Sequence, residues 1–410
     1  MGSSLFAPDI LLVLLISLGL AYALSEVFRY FSLPRVVGQI LAGIILGFPI
    51  IKSYVFSEDA ISAFYFISNV GIILLFFFVG LEIDLKKFRK NYKKASFISA
   101  FNTLIPLSVG FLVSKYLFDF DNTASLILGI SLSVSSQAIS LDILEELNMI
   151  KSKIGNLIIT SGTVDDIIEL ALISFLLILF QTTLIGEKSF LKLGLDILVF
   201  VLVVIVFRAF LVPTVLRIFE KDKSKANFFM GALIIVLFLA YLSELIGIGS
   251  LIGALIAGML VRQTLLTGED RRPWRRNDIS HSIHIISFGF LIPIFFVSVG
   301  LNMDIFAIST NLFLVIVLIL ISFIGTVGGT VIGVMLGKGT LEEGLIVGWG
   351  VTPKGDTELV IAALALNGGL ISVDIYTTII TVAIVSTFVA PIVFKLYVKQ
   401  ALESAHKIRT

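Results

Sequence analysis

The chain has 410 residues, of which 57% are apolar and only 14% charged, a balance that excludes a water-soluble core and describes a polytopic membrane protein. Lys and Arg number 30 against 29 Asp and Glu, so no net charge points to nucleic acid. Cysteine is absent and His occurs three times, which removes disulfides and thiolate metal sites and leaves carboxylates as the material for a cation site.

In chain order, Met1 to Asp9 lacks a basic n-region and a small-residue cleavage site, so the first apolar run reads as a retained helix rather than a signal peptide. About thirteen apolar spans follow, near residues 8–30, 36–52, 61–84, 95–117, 123–147, 154–181, 189–217, 227–246, 250–263, 281–302, 311–337, 343–368 and 374–397. Basic loops alternate with neutral or acidic ones. Lys86 to Lys90, Lys151/Lys153, Arg217 to Lys225, Arg271 to Arg276 and the tail from Lys395 fall on one side; Asp119 to Asp121, Gly186-Glu187 and Asn302 to Asn311 fall on the other. The positive-inside rule then predicts the N-terminus outside and the C-terminus inside. The cluster from Lys86 to Lys94 reads as a topology determinant that contacts lipid headgroups.

The second span carries Leu41-Ala42-Gly43-Ile44-Ile45-Leu46, and the third ends in Phe78-Val79-Gly80-Leu81-Glu82-Ile83-Asp84. Both recur in the same order: Ile256-Ala257-Gly258-Met259-Leu260-Val261 in the ninth span and Ser298-Val299-Gly300-Leu301-Asn302-Met303-Asp304 in the tenth. Seven spans separate the partners, so each copy crosses in the opposite direction. This predicts two inverted six-helix repeats, about 8–181 and 227–397, with a linker helix at about 189–217 and a short cytoplasmic tail at 398–410, all in one membrane domain.

The fifth span contains Ser131-Leu132-Ser133-Val134-Ser135-Ser136-Gln137 at mid-depth, and its repeat partner, the twelfth, contains Gly350-Val351-Thr352-Pro353-Lys354-Gly355-Asp356-Thr357-Glu358. Pro353 removes a backbone donor and the glycines loosen the chain, so this helix is expected to break where a cavity or partner covers the freed groups. Lys354 would lie at the negative end of the first half-helix, with Asp356 and Glu358 at the positive start of the second.

The sixth span holds Gly162-Thr163-Val164-Asp165-Asp166-Ile167-Ile168-Glu169. At ~1.5 Å per residue the aspartates fall near the bilayer midplane, where each costs roughly 2.5–3.5 kcal/mol to insert. Such a pair is expected to bind an ion or a proton. Glu169, one turn on, is a third ligand, a vestibule charge, or a buried, protonated Glu bonded to a neighbour. His281 and His284 at the inner end of the tenth span either respond to cytoplasmic pH or pack at the interface.

These stretches together resemble the monovalent cation:proton antiporter-2 family of the cation:proton antiporter superfamily. The resemblance is carried by Pro34 to Gly43, Phe77 to Asp84, the Asp-Asp pair within Thr163 to Asp166, Gly253 to Gly258, and Pro353-Lys354-Gly355-Asp356. It implies an all-α membrane fold with two crossed, broken helices and a homodimer. The implied activity is sodium/proton or potassium/proton exchange at the cell membrane, with no cofactor beyond the transported ions. It assigns the carrier role to Asp166 with Asp165 as partner, and puts Ser135 and Ser136 at the first helix break. Three departures stand out. The eleventh span has Thr326 where sodium-exporting relatives place a lysine, Asp356 stands where Glu is usual, and no nucleotide-binding regulatory domain is expected after the last helix. Without that lysine, one-for-one electroneutral exchange is expected.

Two other classes fit less well. An intramembrane aspartyl protease would need Tyr-Asp and Gly-x-Gly-Asp, where this chain has Val164-Asp165 and Lys354-Gly355-Asp356. A cation channel would need a carbonyl-lined filter repeated about an axis. An enzyme is not expected.

Overall fold

Apolar runs of this length can satisfy their backbone in a membrane only by helix formation, and the computed structural model of the protein is helical almost throughout its described residues: 8–30, 34–82, 92–147, 149–150, 152–185, 190–211, 214, 225–267 and 284–407. The helices are α1 (Pro8–Tyr30), α2 (Arg35–Gly47), α3 (Pro49–Val55), α4 (Glu58–Glu82), α5 (Tyr92–Tyr116), α6 (Asn122–Ser133), α7 (Ala138–Glu146), α8 (Lys153–Ile185) and α9 (Phe190–Val206). They continue with α10 (Lys225–Ile246), α11 (Ser250–Thr267), α12 (Ile292–Leu301), α13 (Ile305–Thr310), α14 (Leu312–Leu336), α15 (Leu341–Val351), α16 (Asp356–Asn367) and α17 (Val373–Lys407). π turns extend α9 at Phe207–Leu211 and precede α12 at Ser287–Leu291. Among the described residues seven helices are by themselves long and apolar enough to cross a membrane. The second predicted span turns by 87° between α2 and α3, because Pro49 has no N–H to continue the ladder. The basic stretches Lys86 to Lys90 and Arg271 to Arg276, with His281, lie outside the described residues.

The chain divides into two units. The first draws on residues 1–30, 38–83 and 177–301. Its apolar centre includes Val13, Ala42, Leu46, Phe64, Ile294, Val297 and Leu301, and large side chains such as Leu11, Leu15 and Tyr22 of α1 remain exposed as a lipid-facing surface.

The two recurring glycine motifs meet crosswise inside this unit. A methyl built on Gly43 of α2 would lie 2.0 Å from Val297 O, and one on Gly300 of α12 would lie 2.0 Å from Ile40 O. The other pair repeats the geometry: Gly80 of α4 against Leu255 O at 2.1 Å, and Gly258 of α11 against Phe77 O at 2.1 Å. In all four contacts the facing carbonyl lies three residues before the partner glycine. The motifs therefore serve one purpose twice, bringing two helix backbones into contact where no Cβ fits. Gly80→Ala is expected to lose roughly 1–3 kcal/mol or more through overpacking against a carbonyl that cannot yield. Gly19→Ala on α1, where nothing lies within 4 Å, should leave the melting temperature unchanged or raise it. Thermal melts of the two purified variants in one detergent make the comparison.

The second unit draws on residues 31–37, 84–176 and 302–410. Here α5 packs along α14 through glycines spaced by four: Gly325 against Pro106, Gly329 against Phe101 O and Gly333 against the Ile98 backbone. Ile98, Ile158, Val334, Ile346, Val347, Val351 and Phe394 form its apolar core. One end is tied by ion pairs, Lys395 to Glu146 at 2.9 Å and both Lys94 and Lys153 to Glu343. Glu343 also completes a capping box with Thr340 at the start of α15.

Candidate ion-binding site

Both expected helix breaks are present and they meet. The fifth span stops at Ser133, runs through 134–137 without helical structure and restarts at Ala138; the twelfth stops at Val351 and restarts at Asp356. The Ser136 amide donates to Pro353 O at 2.7 Å. A Cβ on Gly355 would come 2.7 Å from Ser136 Cβ, so a side chain there would push the two breaks apart.

Each break frees backbone groups that must find partners away from water. Lys354, 2% exposed, extends its ammonium to Leu132 O at 2.5 Å and Val134 O at 2.6 Å. It therefore neutralises the negative end of α6, the half-helix of the other span, rather than the end of α15 that precedes it in sequence. The end of α15 is served locally instead, by Thr352 Oγ1 donating to Gly348 O at 2.7 Å. Thr387 of α17 fixes the lysine backbone by donating to Lys354 O at 2.9 Å. The charge still matches a helix dipole, but across the crossing.

Glu169 closes the same break from α8. Its Oε1 accepts from the Ser135 amide at 2.7 Å, and the residue is 5% exposed. Of the readings open from sequence, this burial and bond fit the Glu bonded to a neighbour. Glu169→Ala is expected to lose about 1–3 kcal/mol by leaving that amide unmet, while Glu169→Gln keeps an acceptor and recovers most of it. Urea or thermal unfolding of the two variants distinguishes them.

Asp165 and Asp166 follow each other on α8 and face differently, since consecutive helical residues diverge by ~100°. Asp165 is 3% exposed, and its Oδ2 accepts from Asn102 Nδ2 of α5 at 3.3 Å. Its Oδ1 has no hydrogen-bond partner among the described residues. Asp166 is exposed. One carboxylate is thus anchored inside the unit while its neighbour opens outward, so an ion reaching Asp166 is already beside Asp165. Ser99, one turn before Asn102, donates to Ser161 O at 2.8 Å and ties α5 to α8 just before the acidic pair. A Cβ on Gly162 would fall 1.5 Å from Gln137 Oε1, so that glycine lets the first break lie against α8.

The remaining candidates separate. Ser135 and Ser136 are half-buried at the break and contribute their amides. Thr163 bonds back to Ile159 O at 2.9 Å within α8. Asp356 is the first residue of α16 and half-buried. Thr326 is fully buried on α14, its hydroxyl without a partner among the described residues. Sequence reasoning missed Asn102. The available signal was Ser99, Asn102 and Thr103, polar residues spaced i, i+3, i+4 on one face in the middle of a mostly apolar helix, where the structure buries all three. His284 stacks on Phe288 at 4.5 Å and meets Phe78 edge-on at 5.5 Å, an aromatic packing role.

Comparison with known proteins agrees with this architecture. The chain is 29% identical to a Na+/H+ antiporter of Enterococcus hirae over 92% of its own length and 94% of that protein's. It is 27% identical to the Na+/H+-K+ antiporter GerN of Bacillus cereus, covering 88% and 89%. Its fold is similar to that of the sodium proton antiporter MjNhaP1 from Methanocaldococcus jannaschii, with a TM-score of 0.65 over 95% of this chain and 97% of that one at 15% identity. Residues 12–400, nearly the whole chain, match the family described as sodium/hydrogen exchanger, transmembrane, and the chain belongs to that family of multi-pass membrane transporters.

Proposed function

We propose that this protein is a secondary active antiporter, not an enzyme, which exchanges a monovalent cation for protons at Asp165 and Asp166 by alternating access. The observation that carries the reading is the placement of an anchored and an exposed carboxylate beside two helix breaks that meet, the first of them already satisfied by Lys354 and Glu169. The aspartates stand beside that break and offer carboxylate oxygens to an ion. A cation and a proton then compete for the same oxygens, and one cannot enter until the other leaves. Thr326, Asp356 and Thr163 stand as supporting residues. No cofactor takes part.

Sodium is the favoured cation. Potassium is the second reading, and the Bacillus cereus relative, whose name includes both ions, supports keeping it. The protein works in the cell membrane as a homodimer, each copy a single transport domain of two inverted repeats, about 8–181 and 227–397, joined by a linker helix at about 189–217. A dye-based proton-flux assay in reconstituted vesicles, with sodium, lithium, potassium and rubidium offered in turn, tests the reading. Saturable proton movement with sodium is expected; flux that never saturates, or single-channel current, would replace the antiporter by a channel.

A further inference from the structure

Beyond the aspartate pair the second unit holds one more carboxylate with no account. Glu358, in the first turn of α16, is 0% exposed, and both of its carboxylate oxygens lack a hydrogen-bond partner among the described residues. An ionised carboxylate left that way is among the most costly things a protein can bury. A side chain of this kind is retained where it changes its proton or charge state in use.

Its surroundings name the partner. α16 packs against α6 and α17. α6 carries no charged residue between Asn122 and Ser133. On α17 the charged residues nearest the level of Thr387 are Asp374 and Lys395, about 20 Å and 12 Å away along the helix axis, and the buried phenol of Tyr376 lies about 16 Å away. Among the described residues the charge that bears on Glu358 is Lys354, and Lys354 also feels Glu169 and Asp165. The lysine thus stands electrostatically between Glu358 and the aspartate site. An ammonium has three N–H donors, and two of them are taken by Leu132 O and Val134 O. The third can leave without breaking either bond, because a neutral amine keeps two. The buried hydroxyls without a hydrogen-bond partner among the described residues include Ser131 of α6 and Ser386 of α17. Each is the chain neighbour of a residue that touches Lys354: Leu132, through its carbonyl, and Thr387.

We propose that Glu358 is a second proton-binding site of the transport cycle, linked to the aspartate pair through the third N–H of Lys354. Before the cation binds, Glu358 is a neutral carboxylic acid and Lys354 an ammonium. A cation arriving at Asp165 and Asp166 displaces their proton to water. Its positive charge then drives a second proton out: Lys354 gives one N–H proton to water beside the exposed Asp166 and recovers one from Glu358. The lysine ends as it began, Glu358 ends as a carboxylate, and two protons have left for one cation. The cycle therefore moves net charge, in place of the one-for-one exchange that a span without lysine suggested. Reloading from the other side reverses each step.

This inference rests on the aspartate pair as the cation site, and its test separates the two. Protons released on adding sodium chloride, with choline chloride as the control at equal ionic strength, are counted by titration calorimetry of the detergent-solubilised protein in buffers of different ionisation enthalpy. About two protons per sodium are expected for the wild type and about one for Glu358→Met, an apolar near-isostere suited to a site without hydrogen bonds. A count of about one in the wild type overturns the Glu358 proposal whether or not the variant folds, and equal counts in both proteins overturn it too. A wild-type count of zero overturns the aspartate site itself. In proteoliposomes on a solid-supported membrane, a sodium jump should give a transient current in the wild type; absence of that current would contradict the relay.

Discussion

Asp166→Asn should bring cation-dependent proton flux in proteoliposomes to the level of protein-free vesicles, a loss of at least ~100-fold, the scale on which losing an essential proton-transfer group acts. The amide is nearly isosteric but can neither take up and release a proton near neutral pH nor offer a charge to a cation. The melting temperature should barely move, because Asp166 is exposed and its removal leaves the Asn102 to Asp165 bond and both helix breaks untouched. Asp165→Asn should differ. It sits 3% exposed under Asn102, so its amide still takes that bond, and the expected result is weaker cation binding with a displaced pH profile rather than silence. Near wild-type flux in the Asp166 variant would remove that residue from the mechanism.

The second large effect concerns folding. Lys354→Ala withdraws the donor from two buried carbonyls and the positive charge that bears on Glu358. Breaking a buried charged contact by removing one side costs about 3–5 kcal/mol. That is a large fraction of the roughly 5–15 kcal/mol by which a domain is stable, so the variant should express poorly or melt many degrees lower. Lys354→Gln, whose amide has two N–H groups for the same carbonyls, should recover part of the loss. Melting of both variants by intrinsic fluorescence in detergent tests the assignment. Alanine melting with the wild type would show that the lysine does not hold the crossing together.

Much of this architecture is legible in the residues because it depends on local chemistry. Pro353 and the Ser-rich stretch from Ser131 to Ser136 forbid or weaken a continuous helix wherever they lie, and both breaks are where that logic puts them. The glycine motifs at Gly43, Gly80, Gly258 and Gly300 announce close approach, although which helix each one meets is set by the fold. What the sequence could not convey is distance across the chain. Lys354 follows α15 directly, and a dipole argument confined to its own span assigns it there. In three dimensions it is the end of α6, some 220 residues earlier, that lies within reach of its ammonium. Asn102 is a single amide in an apolar helix, and only the presence of Asp165 opposite gives it a role. Glu358 is the same case in reverse: at a helix start an acid looks like an ordinary dipole match, and only its complete burial without a partner sets it apart.

Competition between cation and proton for one set of carboxylates is the centre of the account, and the pH dependence of the apparent KM for sodium reads it directly. Lowering the pH protonates the aspartates, so the cation must displace protons and KM must rise; raising the pH clears them, and KM must fall to a plateau. Measured as sodium-driven proton flux in proteoliposomes with pH equal on both sides at the start, KM should change by about tenfold or more per pH unit on the acid limb. A KM that stays constant while only the maximal rate varies with pH would contradict a shared site and require separate binding places for the two ions.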